Sequence, residues 1–181
     1  MAKPMPAFEV VSIYTEGDYI KYAKTEYSTR SKKIIYGGYL LAGVSFLIFI
    51  MEILRGFNKS DLFLLFLVCS ILFAVWNLPQ HKANKLISSD PKLASRTPTV
   101  ISFYDREFVV ASGDSSGTLK YAEMTDLYLA DDCFYLYLGK MCYILKKKDF
   151  TIGRYQEFAD FLLSKNAEIS VLKAQISVWL K

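Results

Sequence analysis

Hydrophobic positions along this chain change their rhythm several times. Phe8 to Tyr14 has the composition of a strand, and Thr15 to Asp18 then has the form of a capped helix start that leads through Tyr19, Tyr22, Ala23 and Tyr27. Two long apolar stretches follow, Ile34 to Leu54 and Leu62 to Leu78, separated by the short polar segment from Arg55 to Asp61. Pro79, Pro91 and Pro98 punctuate a basic connector over 79–98. Beyond it the pattern predicts short strands over Thr99–Tyr104, Glu107–Ala111, Thr118–Tyr121 and Asp126–Ala130, with Gly113 to Gly117 as a loop.

The clearest strand signal is a hairpin turned by Gly139-Lys140. Period two puts Phe134, Leu136 and Leu138 on one face with Met141, Tyr143 and Leu145, and leaves Cys133, Tyr135, Tyr137, Cys142, Ile144 and Lys146 on the other. Thr151 is placed to cap a helix whose Tyr155, Phe158, Phe161 and Leu162 form an apolar stripe that closes one end of the sheet. In the tail, 166–181, Ile169, Leu172, Ile176 and Trp179 or Leu180 recur at helical spacing. Such an amphipathic tail has three places to go: the sheet, the membrane surface, or a second chain.

The two apolar stretches predict a transmembrane hairpin, 34–54 and 62–78. At about 1.5 Å per residue the first is long enough for a hydrocarbon layer of roughly 30 Å, and its one ionised group, Glu52, lies near an end. In the second, eleven Leu, Ile, Val and Phe residues between Leu62 and Val75 outweigh Cys69, Ser70 and Asn77 on an insertion scale. A buried helical pair in a soluble core would show polar faces that these stretches lack. Gly38, Ala42 and Ser45 on the first span, with Ser70 and Ala74 on the second, are small enough to let the backbones approach.

Basic residues then predict orientation. Lys21, Lys24, Arg30, Lys32 and Lys33 precede the first span, Lys82, Lys85, Lys92 and Arg96 follow the second, and the loop holds only Arg55 and Lys59. A multi-pass protein of the cell membrane with both termini cytoplasmic is expected. Trp76, Tyr36 and Tyr39 lie towards the cytoplasmic interface.

Composition refines this picture only locally. The apolar fraction of 52% over 181 residues exceeds the globular norm of about 45–50% because of the two spans. A net charge of +4 gives no reason to expect nucleic acid as a partner. Cys133 and Cys142 sit roughly 13 Å apart on the hairpin, beyond disulfide reach, so reduced cysteines are expected. His81 has no clustered ligands for zinc, and nucleophile signatures and Gly-rich phosphate loops are missing, so neither a cofactor nor a metal is expected. Asp131 and Asp132 point apart on a turn, where nothing would separate their pKa values for acid and base roles.

The sharpest candidate in the soluble part is Lys146-Lys147-Lys148, three cations at a strand end in a domain tethered to an anionic leaflet. At about 1 kcal/mol per basic residue they would orient the domain on acidic lipid, and the competing reading is a solvated strand end that limits edge pairing.

These elements make an α+β membrane protein: an N-terminal strand and helix over 1–33, the hairpin over 34–78, the connector, a sheet and helix over 99–165, and the tail. About seven strands and one terminal helix is the count of a pleckstrin-homology-like domain with the hairpin inserted after its first strand, and a plain antiparallel sheet with one helix is the alternative. The expected function is a non-enzymatic binding or scaffolding module whose partners are the bilayer and either anionic lipids or a membrane protein. A small transporter or channel component, or an enzyme, is the alternative class, and the oligomeric state stays open.

Several segments resemble the YcxB-like family of small bacterial membrane proteins. They are Tyr14-Thr15-Glu16-Gly17-Asp18-Tyr19, the double span ending in Leu78-Pro79, Phe103 to Phe108, Tyr121 to Leu127, and Tyr135 to Leu145 followed by Lys146 to Thr151. Where that family ends its last strand in isoleucine-proline-lysine, this chain has Lys146 or Lys147 for the proline. The resemblance implies a pleckstrin-homology-like cytosolic domain and no established activity.

Overall fold

β1 (Phe8–Ser12) begins the fold with alternating burial, Phe8, Val10 and Ser12 inward. In the computed structural model the described residues are 5–173, apart from Phe57, Pro91, Lys92, Ala94 and Lys140. The tail positions Ile176, Trp179 and Leu180, the turn residue Lys140, and Pro91 and Lys92 of the connector therefore lie outside the described residues. The chain divides into two compact units, 5–22 with 87–173, and 23–86.

In the first unit, β1 is an inner strand. It pairs antiparallel with β2 (Thr99–Phe103) from Phe8↔Phe103 to Ser12↔Thr99, and on its other side with β8 (Phe150–Ile152). β3 (Glu107–Ser112) and β4 (Ser115–Lys120) complete a five-stranded sheet in the order β4-β3-β2-β1-β8. The expected Gly113–Gly117 loop is shorter than that. Ser112 pairs with Ser115, so the turn is Gly113-Asp114 alone, with Gly113 at a φ of 57° that suits glycine, and Ser115 to Gly117 join β4.

A second sheet holds β5 (Asp126–Leu129), β6 (Cys133–Leu138), β7 (Met141–Lys146) and β9 (Ser170–Lys173) in the order β7-β6-β5-β9. The hairpin register is the expected one, Leu138↔Met141 and Tyr137↔Cys142, and Cys133, Cys142 and Cys69 are free thiols. β6 is buried on both faces rather than one, because Tyr22 of the first helix lies over Tyr135 and Tyr137 at ring distances of 5.8 and 6.3 Å. The two sheets share one core. Phe8, Val10, Ile101, Phe103 and Phe108 meet Leu127, Phe134, Leu136, Leu138 and Leu145, and α4 (Phe158–Lys165) inserts Phe158 and Leu162 between them.

Three expectations for the C-terminal part fail. Thr151 does not cap α4: it lies in β8, where its hydroxyl donates to Glu9 Oε1 at 2.9 Å, and Glu157 holds the cap position. Tyr155 precedes the helix instead of joining its stripe. The helical spacing of the tail is not realised over 170–173, which form β9 parallel to β5. Ile169 turns into the core just before it, and an exposed sheet edge satisfies the backbone there as well as a helix would.

α1 (Glu16–Thr29) ends before α2 (Lys32–Arg55) begins, and α3 (Lys59–Ser89) completes the helices. α2 and α3 are long and apolar enough to cross a membrane, and only 6% and 17% of their apolar windows are buried, unlike core helices of a soluble protein. They touch along seams of period 3.5. Gly38, Ala42, Ser45 and Phe49 are shielded on α2, against Asp61, Leu64, Val68, Ile71 and Val75 on α3. A Cβ at Gly38 would lie 2.3 Å from Val75, so this glycine sets the spacing. On α3 it is the valines that face inward, while Ala74 is exposed.

The polar loop between them is shorter than the sequence suggests, since α2 ends at Arg55 and α3 starts at Lys59. Asn58 N–H donates to Asp61 Oδ2 at 2.7 Å, which caps α3. The second difference is Pro79, which sits inside α3 rather than ending it. Its missing N–H costs one hydrogen bond, and the residues beyond offset this. Gln80 bonds Asn84, Ala83 is fully buried, and Lys82 pairs with Glu26 at 2.5 Å, so much of the expected connector is helix.

Candidate functional site

Thr15 and Asp18 begin the site. Both the N–H and the hydroxyl of Thr15 donate to Asp18 Oδ2, at 2.8 and 2.9 Å, which fixes the first turn of α1. The same carboxylate oxygen accepts Lys146 Nζ at 3.1 Å from the end of β7. Lys146 also donates to the Ile13 carbonyl at 2.7 Å and lies 3.6 Å from Asp149, which accepts the Ser12 hydroxyl at 2.7 Å. One lysine thus ties β1, α1 and β7 together.

Lys147 turns the other way. Its ammonium donates to the carbonyls of Ala130 and Asp131, at 2.7 and 2.8 Å, and lies 5.3 Å above the Phe134 ring. Lys148 is exposed. Lys21, one helical turn after Asp18, pairs with Asp132 where both side chains are more than half exposed, at 56% and 59%. Asp18, Lys21, Asp132, Lys146, Lys147 and Lys148 line a cleft of about 290 Å³.

The ionisations follow from these partners. The hydrogen bond from Lys21 holds the Asp132 carboxyl below its usual range, and the same bond raises the Lys21 ammonium. Burial pushes the neighbouring Cys133 thiol up to about 12, so it stays protonated and unreactive at neutral pH. Burial and a hydrogen bond to Asp90 raise the Tyr19 phenol.

Both carboxylates of the cleft are engaged by lysines, and the hydroxyl that donates to one of them, that of Thr15, belongs to the cap of α1. Among the described residues no group of three His, Cys, Asp or Glu side chains could hold a metal ion. Of the sequence-level candidates, the structure brings Lys146, Lys147 and Lys148 to one cleft but employs the first two internally. His81 is exposed on α3.

Asp18, Lys21, Asp132 and Asp149 complete the charged cluster and were not legible as partners of the lysines. Asp18 carried a signal of its own, the cap spacing Thr15-x-x-Asp18, and Lys21 follows on the same helix face. Nothing local pairs either of them with residues more than a hundred positions away.

No curated protein and no solved structure matches the chain. A family model does, and that family is not known as one of enzymes. Residues 103–162, from the end of β2 into α4, match the model of the YcxB-like protein family, in line with the resemblance carried by the sequence.

Proposed function

We propose that this chain is a membrane-anchored, pleckstrin-homology-like binding module whose charged cleft contacts anionic lipid headgroups from the cytoplasmic side. The observation that carries the proposal is the cleft itself, four lysines against two carboxylates in one recess. Lys148 is exposed, and Lys21, although paired with Asp132, keeps more than half of its side chain exposed, so these two are the cations that can reach outward, while Lys146 and Lys147 hold the walls in place. Support for the fold reading comes from topology. β1 to β4 form one meander, β5 to β7 a second, and α4 closes their shared core. Support for the anchor comes from two long apolar helices whose outer faces expose Tyr36, Trp76 and many Leu and Phe side chains.

The test uses the full chain in nanodiscs of phosphatidylcholine alone or mixed with phosphatidylglycerol. Amide exchange over 130–133 and 147–149 should slow in the anionic bilayer, recover at high salt, and recover on changing Lys21 and Lys148 together to Gln. Identical exchange in both bilayers would remove the lipid contact.

A further inference from the structure

Three of the side chains that line the cleft are engaged by the fold itself. Asp18 accepts the N–H and hydroxyl of Thr15 as well as Lys146, Lys146 also holds the Ile13 carbonyl, and Lys147 holds the carbonyls of Ala130 and Asp131. The other three face outward. Lys21 and Asp132 form an ion pair in which both side chains are more than half exposed, and Lys148 is exposed. The backbone keeps them together: Cys133 pairs with Lys146 across the β6–β7 ladder, and the Lys147 N–H donates to the Asp132 carbonyl at 3.0 Å. Lys148 therefore follows directly on the residue bonded to Asp132, while Lys21 reaches the same aspartate from α1. The rim thus presents a cation and a carboxylate side by side, with a second cation next to them.

A plain phosphodiester matches this rim poorly. Drawing Lys21 onto a phosphate leaves Asp132 as an exposed carboxylate, ionised at neutral pH, beside the incoming negative charge. We propose, resting on the lipid-contact reading of this cleft, that its preferred ligand is an anionic phosphodiester bearing an α-amino acid zwitterion, the phosphoserine headgroup. Its ammonium goes to Asp132, the carboxylate on the same carbon goes to Lys21, and its phosphate goes to Lys148. An ammonium and a carboxylate on one carbon are the complement of the adjacent Lys21–Asp132 pair, so exchanging partners leaves every charge matched. Opening the pair costs little, because exposed ion pairs are weak. The cleft, at about 290 Å³, lies at the lower end of the roughly 300–1,000 Å³ of small-molecule sites, which suits a headgroup rather than an acyl chain.

The test uses the full chain in nanodiscs of phosphatidylcholine mixed with equal fractions of either phosphatidylserine or phosphatidylglycerol, read by amide exchange over 130–133 and 147–149. Phosphatidylserine should slow exchange at least about threefold more than phosphatidylglycerol. Acetylating the phosphatidylserine amine keeps both anions and removes the cation, and should abolish that preference. Asp132→Asn should abolish it too, while leaving the slowing by phosphatidylglycerol in place. Glycerophosphoserine added to phosphatidylcholine nanodiscs separates the sources of this chemistry: slowing by it shows that the cleft takes the free diester, and slowing by the lipid alone shows that it reads the bilayer. Equal slowing by the two lipids overturns the proposal and leaves the lipid contact standing, whereas no slowing by any of the three compounds removes both. A preference for phosphatidylserine that survives acetylation or Asp132→Asn also overturns the proposal.

Discussion

Lys146 keeps only 13% of its side chain exposed while donating to Ile13 and lying against Asp18 and Asp149, whereas Lys148, two residues on, is exposed. The neighbours should therefore differ on substitution. Lys146→Met strands a carbonyl and two carboxylates and should cost about 1–3 kcal/mol of stability. Lys148→Met should stay within about 0.5 kcal/mol, and denaturant unfolding of the full chain in detergent measures both. The exposed pair Lys21–Asp132 contributes less. Its carboxyl is depressed, so whatever it adds is present above the ordinary carboxylate range and is lost as pH falls through the lowered value. Gly153 is a second critical position. Its φ is 80°, and a Cβ there would lie 2.3 Å from the Phe8 ring and 2.9 Å from the Ala7 carbonyl. Gly153→Ala should destabilise the sheet by about 1–3 kcal/mol or more in the same measurement.

At the scale of elements, β1 carries the largest consequence for its length. It lies between β2 and β8 and places Phe8 and Val10 in the core, although the three long helices separate it from β2 in the chain. Deleting residues 1–14 should abolish the cooperative unfolding of the first unit, because β8 loses its ladder, β2 keeps only its pairing with β3, and Phe8 and Val10 leave the core. A melting transition unchanged by that deletion would show that the strand contributes nothing. α3 makes a related point: its proline lowers local helix propensity, yet a buried alanine and the Lys82–Glu26 pair carry the helix on to Ser89.

For the whole molecule, the proposed topology has both termini in the cytoplasm. The basic residues flanking the two long helices outnumber those between them, where only Arg55 and Lys59 stand. Reporters fused at residues 1 and 181 should both be cytoplasmic, and one at Asn58 should face the other side. A cytoplasmic signal at Asn58 would overturn the hairpin topology.

Local patterns in the sequence determined whatever depends on neighbours along the chain. The two apolar stretches appear as long helices because composition and length alone decide that, and the 133–146 hairpin keeps its register because Gly139 turns it and period two aligns its faces. The cap Thr15-x-x-Asp18 was legible for the same reason. Of the short segments that carry the YcxB-like resemblance, those from Phe103 to Thr151 fall within the residues that the family model matches, 103–162, whereas Tyr14 to Tyr19 and the double span lie outside them. Tertiary structure decided everything that long-range packing competes for. Thr151 had the right chemistry for a helix cap, but the edge of β1 and Glu9 claimed it for a strand. The tail had helical spacing, but burying Ile169 beside an open β5 edge made 170–173 a strand. Lys146, Lys147 and Lys148 looked like three equal surface charges. Only the fold, by bringing Ile13, Asp18 and the Ala130–Asp131 turn within hydrogen-bond reach, separated two structural lysines from the one left to face solvent.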